Sequence, residues 1–172
     1  MVIAAFAPTR VSAEQIRLWL DQVPDPEIPV LSVVDLGLIR DVQWDGSVCV
    51  VTITPTYSGC PAMDEIAADI KDELRRHGMA DVRIQTVLSP AWTTDWMTPK
   101  GRAALKSYGI APPQEKAIDI SGISRRADTP AVDCPHCGSN NTRLISHFGS
   151  TSCKALYRCS QCGEPFDYFK TH

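Results

Sequence analysis

Four cysteines near the C-terminus constrain this chain more than any other feature. Cys134-Pro-His-Cys137-Gly138 and Cys159-Ser-Gln-Cys162-Gly163 form two C-x2-C knuckles separated by 21 residues. Two intervening residues let both sulfurs of a knuckle face one ion, and the glycine that follows lets the chain turn through left-handed dihedrals. Four thiolates close a tetrahedron and leave no position open for substrate, so the pattern reads as a structural site. Zinc is the favoured ion, iron in a rubredoxin-like site ranks below it, and unliganded buried cysteines are the bland alternative. His136 and His147 lie in the same segment, but four sulfurs already satisfy zinc. Residues 132–172 are close to the ~40-residue size below which a chain needs a metal or disulfides to fold. Thr142–Ser146 and Ala155–Arg158 read as ribbon strands, with Phe166, Tyr168 and Phe169 as a small aromatic core.

The seven cysteines are an odd number, and five of them fall between Cys134 and Cys162. Together with the paired spacing and the lack of an export signal, this argues for thiolate ligation in a reducing cytoplasm over a disulfide framework. Met1–Pro8 is short and lacks the basic flank of a signal peptide, and no apolar run approaches the ~18–20 residues that span a bilayer. A cytoplasmic protein without membrane insertion is the expectation. Residues 128–172 carry four acids (Asp128, Asp133, Glu164, Asp167) and four bases (Arg143, Lys154, Arg158, Lys170). Four thiolates on one divalent ion would add two negative charges. A phosphate-binding surface needs clustered positive charge, so nucleic acid is not expected as a partner.

The N-terminal part carries a different pattern. Ser12-Ala-Glu-Gln15 reads as a capping box, and Ile16, Trp19, Leu20 and Val23 continue at the spacing of an amphipathic helix over 13–22. Pro24, Pro26 and Pro29 forbid its continuation. Leu38–Trp44, Asp45-Gly46 and Ser47–Thr54 predict a hairpin with a type I′ turn. Ser58-Gly-Cys-Pro61 opens a second helix with Met63, Ile66, Ala67, Ile70 and Leu74 as its buried stripe, ended at Gly78. Val82–Leu88 reads as a strand, and Thr98-Pro99 starts a helix that Gly109 stops. The order αββαβα predicts an α+β domain over 10–112, a linker over 113–131 rich in proline and glycine, and a zinc ribbon over 132–172.

Single residues leave alternatives open at this point. Cys60 precedes a helix, where the dipole would lower its pKa and make it a better nucleophile or metal ligand; equally, it could cap a turn with no chemistry. Cys49 alternates with Val51 and Ile53 and reads as core. Cys153 is either a small buried hydrophobe or a thiolate beside the ribbon. Asp25, Glu27 and Asp35 are possible acid/base carboxylates, but aspartate beside proline is more often a turn former. His77 falls in the last turn of a helix, where a cation suits the dipole. No Ser/His/Asp order, phosphate loop or H-E-x-x-H helix points to a self-sufficient enzyme, and no Glu-x-x-His pair points to a di-iron bundle.

Asp25-Pro-Glu-Ile-Pro29, Asp35-Leu-Gly-Leu-Ile39, Thr52-Ile-Thr54 and Gly59-Cys60-Pro61 together resemble the metal-sulfur cluster biosynthesis family, the small domain of SufT-like iron–sulfur assembly proteins. The resemblance covers roughly 13–100. Its fusion to a ribbon with Phe148-Gly-Ser-Thr151, Cys153-Lys-Ala155 and Phe166-Asp-Tyr-Phe-Lys170 resembles the PaaD-type family of bacterial phenylacetyl-CoA epoxidase systems. That resemblance implies an accessory role in phenylacetate degradation, not the epoxidation itself. It implies assembly or delivery of an iron–sulfur cluster or a di-iron centre to the oxygenase or reductase component. Cys60, Asp25 and Glu27 match the family's reactive cysteine and acidic loop. One cysteine does not hold a cluster alone, so a transient cluster or iron needs a second ligand from a dimer mate, a partner or a small thiol. A homodimer is the expected state. The alternative is a non-catalytic regulatory component that docks on the oxygenase through its ribbon.

Overall fold

The structure is a computed structural model, and it describes residues 10–114 and 132–171. The predicted linker therefore lies almost wholly outside the described residues. The first unit runs α1 (Ala13–Leu20), β1 (Ile39–Asp45), β2 (Val48–Ile53), α2 (Met63–Arg76), β3 (Val82–Thr86) and α3 (Pro99–Tyr108). This is the αββαβα order, an α+β unit followed by a ribbon. Ser12 caps α1, its hydroxyl accepting from the Gln15 N–H at 3.1 Å. Thr98 does the same for α3 through Gly101 at 2.9 Å, with Pro99 in the first turn and Gly109 ending the helix at φ 91°.

β2 is the central strand, antiparallel to β1 and parallel to β3. Its Cys49, Val51 and Ile53 are fully buried, which makes Cys49 a core residue. They pack with Ile16 and Leu20 of α1 and Ile66, Ile70 and Leu74 of α2. The hairpin differs from expectation in its turn. Asp45 pairs with Val48, so Gly46 and Ser47 are the loop, and only Gly46 has positive φ at 60°. A type I′ turn needs positive φ at both central residues, whereas glycine first is the type II′ arrangement. Gly37 is required by space as well as by conformation. Its φ is 75°, and a Cβ there would meet the backbone of Trp96, whose carbonyl carbon lies 2.7 Å away.

The second unit is a three-stranded antiparallel sheet of β4 (Thr142–Ser146), β5 (Lys154–Cys159) and β6 (Pro165–Phe169). Tyr157, Phe166 and Tyr168 form its small core with Ala155 and Val132. Phe169 departs from the aromatic core predicted for the ribbon. Successive strand residues point to opposite faces, so Phe169 turns away from Tyr168 and enters the core of the first unit. There it is completely buried, its ring 5.9 Å from that of Trp92. The chain after α3 joins the same seam. Ala111 pairs with β6, donating to the Asp167 carbonyl at 2.8 Å and accepting from the Phe169 N–H at 2.9 Å. The ribbon is thus held by backbone hydrogen bonds and by a shared apolar core.

Candidate functional site

The ribbon cysteines meet the test for zinc on geometry. Their four Sγ atoms all lie within 4.8 Å of one another. Cys134 and Cys162 are 3.8 Å apart and Cys137 and Cys159 3.6 Å. A tetrahedron with Zn–S bonds of about 2.3 Å has edges of about 3.8 Å, so the sulfurs are already at the spacing of the ion. The knuckle N–H groups of Cys162 and Gln161 point at the Cys159 sulfur and lower its pKa to about 6. Cys137, although the Ser139 N–H favours its thiolate, is pushed up to about 12 by desolvation and by the neighbouring thiols. Four thiolates this close require a cation. Gly138 and Gly163 have φ of 74° and 81°, as the knuckle turn demands. His136 is exposed and rests against Gly109 at the end of α3, and His147 is exposed as well. His77 sits at the C-cap of α2, stacked on Trp19 and bonded to Glu73 at 3.0 Å.

A second group of polar side chains meets where the two units join. Asp25, Glu27, Cys60 and Cys153 line one small cavity of about 10 Å³, walled by apolar groups that include Leu36, Ile66 and Phe169. That volume is about the room a single water occupies. Asp25 is 6 % exposed, and its Oδ1 accepts from the N–H groups of Glu27 at 2.9 Å and Ile28 at 2.8 Å. It is therefore both the turn former that proline suggests and a wall of the cavity. Asp35 lies elsewhere. It accepts from the Thr98 hydroxyl at 2.6 Å and pairs with Lys100 at 2.9 Å, an anchor for the start of α3.

The expected low pKa of Cys60 is not what its surroundings impose. α2 begins only at Met63, two residues beyond Pro61, and Cys60 sits in the preceding turn with its N–H bonded to the Tyr57 carbonyl at 3.2 Å. Burial raises its thiol above the usual cysteine range. The Ala62 N–H and the Tyr57 side chain pull the other way, while Glu27 and Asp25 add to the rise. Desolvation and two nearby carboxylates therefore outweigh the helix start. Cys153 is raised as well, by burial first, against a hydrogen bond from Thr151 at 3.0 Å. Burial raises Asp25 and Glu27 in the same way, with Lys154 opposing. Lys154 is itself buried and 3.9 Å from Asp167.

Reading residues one by one misses Tyr57 and leaves the role of Cys153 open. Tyr57 lies three residues before Cys60 across a turn, its carbonyl accepts from the Cys60 N–H at 3.2 Å, and its half-buried ring packs on the same core as Cys60 and Cys153. The Tyr-Ser-Gly-Cys turn was the available signal. Cys153 reads from the sequence as either core or a thiolate beside the ribbon, but nothing there joins it to Cys60, because 92 residues separate the two and only the docking of the ribbon unites them.

This fold and these sites define a class: an iron–sulfur-assembly domain joined to a zinc ribbon. Residues 13–86 match the family described as iron-sulfur cluster assembly protein, and residues 119–170 match the PaaD zinc beta ribbon domain. The chain is 50 % identical over 169 residues to the PaaD-type component of the 1,2-phenylacetyl-CoA epoxidase of Escherichia coli, covering 98 % of this chain and 97 % of that one. It therefore belongs to the PaaD family of phenylacetyl-CoA epoxidase components. The first unit alone is 43 % identical over 88 residues to an Fe-S protein maturation auxiliary factor of Porphyromonas gingivalis, covering 49 % of this chain and 82 % of the relative. It also superposes on the crystal structure of a domain of unknown function from Bacillus anthracis, with a TM-score of 0.51 and 30 % identity over 54 % of this chain and 90 % of that one.

Proposed function

We propose that this protein is an assembly factor that handles iron or an iron–sulfur cluster for a component of the phenylacetyl-CoA epoxidase. The observation that carries the reading is the convergence of Cys60, Asp25 and Glu27, from two separate loops of an iron–sulfur-assembly unit, on one partly closed cavity. A half-buried thiol beside two carboxylates is poorly suited to stay an anion alone and well suited to receive a metal cation. The 10–112 unit carries this chemistry, and the zinc-held 132–172 unit closes over it. Cys60 is the transfer ligand; Asp25 and Glu27 supply negative charge. Homodimerisation belongs to the same proposal, since β1 and β3 each leave one sheet edge without a strand partner among the described residues.

The test is epoxidase activity of the remaining components matured with this protein and then purified free of it. Activity that persists after its removal, and that is absent when Cys60→Ser replaces the wild type, supports an assembly factor acting before turnover. Activity that requires the protein to remain bound in stoichiometric amount overturns it and makes the chain a regulatory component.

A further inference from the structure

We propose that Cys60 and Cys153 form a two-thiol site, split between the two units, that binds a single divalent metal ion of borderline softness such as Fe2+. This deepens the reading of Cys60 as a metal-handling thiol and rests on it, while adding the ligand that a lone cysteine lacks. Both cysteines line the same cavity, which has room for one small species and not for a preformed cluster. The loop that carries Cys153 is fastened at this point, since Cys153 belongs to the core of the first unit, against which Tyr57 and Cys60 also pack, and the Thr151 hydroxyl lies 3.0 Å from its sulfur. The Lys170 N–H donates to the Cys153 carbonyl at 3.0 Å, next to the fully buried Phe169. Cys153 is 4 % exposed and Asp25 6 % exposed.

Charge around the cavity favours a cation. Asp25 and Glu27 are its acidic lining, and the neighbouring Lys154 is already paired with Asp167. Binding releases one proton from each thiol to solvent as two metal–sulfur bonds form, with no change of oxidation state. The site contrasts with the ribbon quartet. Four sulfurs within 4.8 Å of one another close the ribbon site. Two thiols with carboxylates nearby leave coordination positions free, and an ion that must be passed on needs such positions. The ribbon thereby acquires a role beyond its own zinc: it delivers Cys153 to Cys60.

Zinc-loaded full-length protein is titrated anaerobically with Co2+, whose thiolate charge-transfer absorption counts bound sulfurs. One Co2+ per chain beyond the zinc is expected, with a two-sulfur band. Loss of a partner that only orients a ligand costs ~10–100-fold in affinity, so Cys153→Ser and Cys60→Ser should each weaken binding by at least ~100-fold. Wild-type binding that survives Cys153→Ser overturns the split site but leaves the Cys60 assembly reading standing. Failure of the wild type to bind Co2+ beyond its zinc also overturns it, whereas the maturation assay decides the assembly reading separately. Should Cys153→Ser not fold, phenylarsine oxide on the wild type decides. Its arsenic forms two As–S bonds with two close thiols and loses oxygen as water, so it should protect Cys60 and Cys153 together from alkylation. Independent alkylation of the two overturns the proposal.

Discussion

Cys60 and Asp25 are held in states that water alone would not favour. Burial, with Glu27 and Asp25 nearby, keeps the Cys60 thiol above the ordinary cysteine range, so metal-free protein should alkylate slowly at neutral pH. The rate should climb only as the pH passes above that of free cysteine, measured by iodoacetamide labelling and peptide mapping. A rate already at its plateau at pH 7 would mean an activated thiolate. Asp25 gives a stability test. Its folded pKa is raised, so between the unfolded and folded values the native state binds more protons. Stability therefore falls as pH rises through that window, and the deficit remains at neutral pH. Asp25→Asn keeps an oxygen for the Glu27 and Ile28 N–H groups and removes the buried charge. Its urea midpoint at pH 7 should equal or exceed that of the wild type, while metal binding weakens; a lower midpoint would show that the carboxylate stabilises the loop.

The knuckles and strands of the ribbon depend on an ion. Its core is a few side chains around Tyr157, Phe166 and Tyr168, too little apolar surface to offset the entropy of ordering the chain. Structural zinc in small domains contributes about 10–16 kcal/mol of apparent binding energy at neutral pH, which becomes folding energy. The double variant Cys159→Ser, Cys162→Ser should lose its one zinc per chain by elemental analysis. Loss of zinc should melt β4, β5 and β6 together. In the first unit the elements are set by local chemistry: caps at Ser12 and Thr98, and the glycine at 109 with φ of 91°. These were readable because capping and turn signals act over three or four residues. The start of α2 was not, because proline marks where a helix is permitted without compelling it to begin there.

Across the whole molecule the two units share one seam. Phe169 is fully buried against Trp92 at 5.9 Å, so it belongs to the stability of the first unit although it is covalently part of β6. Phe169→Ala should cost about 3–5 kcal/mol, the range for emptying a buried phenylalanine site. All four tryptophans, at 19, 44, 92 and 96, lie in the first unit, so tryptophan fluorescence during denaturation reports on it alone. A lowered midpoint in that signal shows the units melting as one; an unchanged midpoint would mean that the ribbon folds beside its neighbour without supporting it.

The metal class of the ribbon and the αββαβα order could be read from the sequence, because each rests on spacing along the chain, whereas Asp25, Glu27 and Cys60 are grouped only by the family resemblance of the motifs that carry them. C-x2-C geometry is set by two residues, helix periodicity by four, and the acidic loop by its prolines. What the fold alone decided is what distant residues do to one another. The side of β6 on which Phe169 falls, the elevation of the Cys60 thiol, and the meeting of Cys60 with Cys153 all arise where the ribbon docks on the first unit. Desolvation and through-space charge depend on what surrounds a group in three dimensions, and a linear pattern carries no record of which surface will cover it.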